Sequence, residues 1–279
     1  MLLLFVFKIE KYIYSDNIMN MCRLITIASQ KGGSGKSATS VNLAASLALL
    51  EKKTLLVDCD PQARSTAWSG MKDSGHVNGL SAVVSGQLEP VEAVSRTMLR
   101  YMDIIPSDFN LFHAASKLSL NAGNEKILRI FLRDLKEKYD YIILDSPSSF
   151  NFLAVAAMTA ADWLIIPFTC SLNFFPAGFI EEFSCLLKMV QYIRKTYQVR
   201  LKIAGLLSVK NSHGEVDAFL DSQSQDSIRD IVYSTYIPDD AAVIRAADSG
   251  KPVALYDAGT GVAKAYLNFA WELESFFKQ

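Results

Sequence analysis

At 279 residues, 50% of them hydrophobic and 20% charged, the chain has the make-up of an ordinary globular protein with room for one large domain or two small ones. Its formal net charge of -1 excludes a global pull toward nucleic acid or anionic lipid, so any such contact has to come from a local patch. Four scattered cysteines, Cys22, Cys59, Cys170 and Cys185, form no C-x-x-C pair, which argues against a disulfide framework, a zinc site or an iron–sulfur cluster and for reduced thiols in a cytoplasmic protein.

In chain order, residues 1–21 read as a disordered or mis-annotated lead-in. The apolar run Met1–Phe7 is too short to span a membrane, and it lacks the basic flank and cleavage site of a signal peptide. Fold-like sequence starts at residue 22. Arg23–Ser29 predicts a buried strand, and a glycine-rich turn leads to a helix over Ser37–Leu50 with apolar residues at three- and four-residue spacing. Strands follow at Lys53–Asp58 and Tyr101–Ile105, then an amphipathic helix over Glu125–Lys138. Asp140–Asp145 is too apolar to face water on either side, as expected of a central parallel strand. The same rhythm continues with a strand at Trp163–Pro167, a helix over Ala177–Tyr197 and a strand at Lys202–Ser208. A polar stretch, a short strand at Ser234–Ile237, a small helix and a closing helix over Gly261–Phe277 complete the chain. Repeated strand–helix units predict an α/β fold: a single doubly wound domain over residues 22–279, with a mostly parallel sheet between two helical layers and its ligand site at the carboxyl ends of the strands.

Three motifs fall at such ends. Lys31-Gly32-Gly33-Ser34-Gly35-Lys36-Ser37 joins a strand to a helix, and a glycine-rich loop there lets backbone N–H groups converge on phosphate while the helix N-terminus adds its dipole. Lys36 is placed to contact the outer phosphates and Ser37 to ligate Mg2+. Gln30 stands where the usual loop pattern has its first glycine, and a lysine follows it. Asp58-Cys59-Asp60-Pro61-Gln62 ends the second strand, and Asp145-Ser146-Pro147 ends the central one. An aspartate at a strand end is often only a helix cap. Three motifs in this order, each at a carboxyl end, point instead to a nucleotide phosphate with its metal.

On these residues the chain resembles the ParA/MinD family of deviant Walker A ATPases, and within it the Soj-like ParA partition proteins. Lys31 to Ser37 matches the family's K-G-G-x-G-K-[ST], and Asp58 to Gln62 its D-x-D-P-Q. Ile142 to Pro147 matches its Walker B, with Ser148 in place of a second proline. Gly250-Lys251-Pro252-Val253 with Tyr256-Asp257 matches a C-terminal pattern of the ParA branch. The resemblance implies a Mg2+-dependent ATPase, slow and partner-stimulated, that closes as a homodimer around ATP. Lys31 would reach the phosphates held by the other subunit, Lys36 those of its own, and Asp60 would orient the attacking water. Ser37, Asp58 and Asp145 would serve the metal. Gly32, Gly33, Ser34, Gly35 and Ala38 would line the phosphates, with Asn211 and Pro238 near adenine.

The implied activity is partition of plasmid or chromosomal DNA with a ParB-like partner, in the cytoplasm or on the nucleoid. Two alternatives stand beside it: a ParA-like ATPase that positions a non-DNA cargo, and a non-hydrolysing nucleotide-dependent interaction protein. Asp239 and Asp240 stand where the family is often basic, and from Asn151 to Gln279 there are 11 Lys and Arg against 14 Asp and Glu, which weakens non-specific DNA binding. Lys188, Arg194, Lys195, Arg200 and Lys202 form the remaining basic stretch, which reads first as a solvated helix end and strand start. The closing helix lacks a basic amphipathic tail, so no stable membrane association is expected.

Overall fold

The computed structural model describes residues 22–71, 78–169, 177–211, 214 and 229–278; the lead-in at 1–21 and most of the polar stretch after Asn211 lie outside the described residues. Eight strands form one sheet: β1 (Arg23–Ile27), β2 (Thr54–Asp58), β3 (Ser95–Arg96), β4 (Met102–Ile105), β5 (Tyr141–Asp145), β6 (Trp163–Phe168), β7 (Lys202–Val209) and β8 (Val232–Ile237). Their order is β3-β4-β2-β5-β1-β6-β7-β8, and every pairing is parallel except β3 with β4. The fold is therefore the expected α/β sheet between helical layers.

Helices connect the strands: α1 (Lys36–Leu49), α2 (Leu80–Val84), α3 (Asn110–Leu118), α4 (Ile127–Phe131), α5 (Phe152–Ala160), α6 (Ala177–Tyr197), α7 (Ala242–Asp248), α8 (Val253–Tyr256) and α9 (Gly261–Phe276). Because neighbouring side chains of a strand point to opposite faces, each central strand feeds two cores. Leu24, Leu55, Val57, Ile142 and Leu144 pack on one face with Leu153, Ala156 and Ala157 of α5 and Leu186 and Val190 of α6. Ile25, Ile27, Leu56 and Ile143 pack on the other with Val41, Leu43 and Leu47 of α1 and Tyr266, Phe269 and Leu273 of α9. This explains why these strands read as continuous apolar runs rather than alternating ones.

The helix expected over Glu125–Lys138 is shorter than its pattern. A 3-10 turn at Asn124–Lys126 leads into α4, and residues 132–138 form successive turns. Their backbone bonds mix four-residue reach (Lys136 to the Leu132 carbonyl) with three-residue reach (Arg133 to Ile130, Lys138 to Leu135). Leu128, Leu132 and Leu135 are still all buried, so the apolar spacing served burial without requiring a regular helix.

Candidate functional site: a phosphate loop facing two buried aspartates

Strand register sets the site. Ile27 at the end of β1 and Asp58 at the end of β2 both align with Asp145 at the end of β5, so the three motifs converge on one edge of the sheet. The loop leaves β1 and enters α1 through Gly35, whose φ of 83° lies in the left-handed region and whose missing Cβ would stand 3.3 Å from Val209 Cγ2. The backbone conformation favours glycine there, and the close Val209 methyl adds to the preference. Gly33 also has a positive φ, 77°. Lys31, Gly32 and Gly33 are exposed, Ser34 and Lys36 buried, Gly35, Ser37 and Ala38 half-buried. Ser34 Oγ lies 2.6 Å from Ser29 Oγ, which fastens the loop to the end of its own strand. No side chain caps the N-terminus of α1, which leaves its first amides directed at the loop, the arrangement that binds anions.

Lys36 donates from Nζ to the Lys31 carbonyl at 3.0 Å and to Ser34 Oγ at 3.3 Å. Burial lowers the pKa of its ammonium, while Asp145 and Asp60 act to keep it charged. A phosphate anion would favour the charged form further.

Asp145 is fully buried and accepts from three serines: Ser65 Oγ at 2.6 Å, Ser37, and Ser40 Oγ at 3.0 Å. Burial lifts its carboxyl above the ordinary carboxylate range, and the hydroxyls partly offset this. The structure thus brings Ser37 and Asp145 together, a hard-oxygen pair of the kind Mg2+ uses alongside substrate phosphates and water.

Asp58 has a different set of partners. Its Oδ2 accepts from the amide and the hydroxyl of Thr66, each at 2.8 Å, and its Oδ1 accepts from the Asp60 amide at 3.1 Å. Thr66 Oγ1 in turn accepts from the Ser107 amide at 2.8 Å. Asp58 therefore anchors the turn that carries Asp60, a structural task beside the metal role expected of it. Burial raises its carboxyl, and Asp145 adds to the effect. Asp60 is half-buried, and its Oδ1 accepts from the Gln62 amide at 3.0 Å.

Asn211 bonds to Ile237, the residue before Pro238. The Asn211 amide reaches the Ile237 carbonyl at 3.4 Å, and Asn211 Nδ2 donates to Ser208 Oγ at 2.7 Å. Motif reading missed the supporting residues Ser40, Ser65, Thr66 and Lys210. The two serines and the threonine lie one turn past the motifs that were read, where a hydroxyl carries no signal until a buried carboxylate is known to face it.

A family model described as an AAA domain matches residues 22–203. The sporulation initiation inhibitor protein Soj of Bacillus subtilis (strain 168) is 33% identical over 254 residues, covering 91% of this chain and 98% of Soj. The chain belongs to the ParA/MinD family. Another member, the chromosome partitioning protein ParA of Caulobacter vibrioides, is 33% identical over 259 residues, 92% of this chain and 95% of that one. Among solved structures, cobyrinic acid a,c-diamide synthase from Mycobacterium smegmatis with bound ADP and magnesium superposes with a TM-score of 0.76 at 26% identity, covering 93% of this chain and 96% of that one. The family consists of P-loop ATPases, and in this chain Ser37 and Asp145 stand within hydrogen-bond reach of each other.

Proposed function

We propose that the protein is a ParA-type partition ATPase that binds ATP with Mg2+ at Lys31–Ser37 and closes as a homodimer around the nucleotide. The carrying observation is the division of labour between two lysines. Lys36 is buried beside Ser34 and Asp145, committed to its own subunit's site, whereas Lys31 sits exposed at the apex of the loop. A cation presented outward there is suited to phosphates bound by a facing copy, where it would offset charge on the transferred group. Asp60, held by the Asp58 turn, orients the attacking water. Ser37 and Asp145 would hold Mg2+, whose charge would offset that of the phosphates. Asn211 and Pro238 lie on the adenine side.

Hydrolysis removes the γ-phosphate contacts and releases the dimer, a switch that a ParB-like partner stimulates on a DNA cargo. The homology to Soj and to chromosome partitioning ParA supports DNA as the cargo. In this chain Asp240 has a structural use: its Oδ1 accepts from the Ala242 amide at 2.8 Å at the start of α7.

The test is light scattering with ATP and Mg2+. Lys31→Ala is expected to stay monomeric, and Asp60→Ala to remain a dimer that does not dissociate with time. A Lys31→Ala protein that dimerises like the wild type sinks the sandwich reading.

A further inference from the structure

Lys210, directly after β7, belongs to none of the motifs described above. Its φ is 59°, in the left-handed region, where a non-glycine residue is kept only by its surroundings. Those surroundings are firm. Asn211 is 4% exposed and bonded to Ser208 and Ile237, while Val209 on the other side packs against the place where Gly35 lacks a Cβ. The pinned backbone sends the Lys210 side chain over the phosphate loop, where Nζ donates to the Gly33 carbonyl at 3.1 Å.

The apex of that loop stands in open space. Gly32 and Gly33 are exposed, and a Cβ on either would meet nothing within 4 Å. Two ammonium groups tie its carbonyls, Lys36 at Lys31 and Lys210 at Gly33. The ties differ once phosphate is present. Lys36 is the group a phosphate would draw to itself, freeing the Lys31 carbonyl, whereas Lys210 reaches the loop from the end of β7 and not from within the loop.

We propose that Lys210 is a positioning residue for nucleotide capture: it holds the loop apex through Gly33 in the shape that receives the phosphates. This rests on the ATP-site reading above. A pre-shaped loop lowers the cost of ordering on binding, so Lys210 acts on how tightly nucleotide is taken and not on the chemical step.

The experiment compares wild type, Lys210→Met, Lys210→Arg and Lys36→Ala by titration with a fluorescent ATP analogue and Mg2+, with steady-state ATPase kinetics and melting temperature alongside. Lys210→Met is expected to raise Kd and KM by about fivefold, the scale of one partly exposed charged hydrogen bond. Its kcat and melting temperature stay close to wild type, and Lys210→Arg, which keeps a donor, recovers most of the affinity. An unchanged Kd in Lys210→Met overturns the proposal. So does a loss that Arg fails to recover and that comes with a lower melting temperature, because the role is then structural. Lys36→Ala keeps the two readings apart: if it binds the analogue as tightly as wild type, the ATP site itself is misplaced, whatever Lys210 does.

Discussion

Asn42 lies in α1, one turn beyond the residues that face phosphate, and is buried at 4% exposure. Its Nδ2 donates to the Ala38 carbonyl at 2.8 Å, and its Oδ1 accepts from the Val253 amide at 2.7 Å. Both ends of one short side chain are therefore used, and they join the nucleotide helix to the first residue of α8, directly after Pro252. A buried amide that loses such an acceptor bears its full desolvation cost. Asn42→Ala is accordingly expected to destabilise the fold by about 2 kcal/mol, measured as a lower urea midpoint with an unchanged slope. A midpoint that does not move would mean that water replaces the side chain. The same geometry gives the Gly250-Lys251-Pro252-Val253 segment a physical meaning beyond its use as a family mark: through Val253 it fastens the first half of the helix that starts at the phosphate loop.

At the scale of elements, that segment also touches the helical run that follows the Asp58 turn. Gly70 and Gly250, with φ of 86° and 64°, approach so closely that a Cβ on Gly250 would lie 3.2 Å from Gly70 Cα, and one on Gly70 would lie 3.0 Å from the Gly250 carbonyl. Gly250→Ala thus incurs the left-handed backbone penalty of about 1–2 kcal/mol together with a tight contact against the Gly70 backbone. Its melting temperature should fall by about 3–6 °C. Gly86→Ala is the control, since Gly86 shares the positive φ, 70°, but faces open space. Equal shifts in the two variants would show that the contact costs nothing. Neither glycine's role was legible beforehand, because the partners are about 180 residues apart. What was legible was local: β1, β2, β5, β6 and β7, together with α1, α6 and α9, fall within two residues of their expected limits, each carried by a long apolar pattern. The elements that escaped, α2, α3, α5 and the two-residue β3, are short or, like α5, apolar on nearly every face and so without periodicity. The site follows the same division. The loop, Asp58, Asp60 and Asp145 announced themselves by motif, while Ser65, Thr66 and Lys210 became visible only once the fold had brought them to those groups.

For the whole molecule, the open question of charge becomes one of placement. From Asn151 onward acids outnumber bases, and of the basic stretch near the end of α6, Lys202 is stacked over the Trp163 ring at 5.2 Å and Arg194 is half-buried. Lys188, Lys195 and Arg200 remain exposed. Three cations on one protomer give a weak hold on a duplex, whereas the same three on each half of the proposed ATP dimer would double the phosphates neutralised and raise affinity steeply, since each released counterion adds to the salt exponent. DNA retention is therefore expected with ATP and Mg2+ at about 50 mM salt, with a slope of log K on log salt of about -5, and it should be largely lost by about 200 mM. It should be absent without nucleotide and in Lys31→Ala, which keeps every surface cation of the stretch and is expected to stay monomeric. Lys195→Glu with Arg200→Glu should abolish retention while leaving ATP-dependent dimerisation intact by light scattering. Retention of the Lys31→Ala monomer at the wild-type level would place the DNA contact outside the dimer's doubled charge, and no retention of the wild type at low salt would remove DNA as the surface on which this switch operates, because a phosphate-driven contact is strongest there.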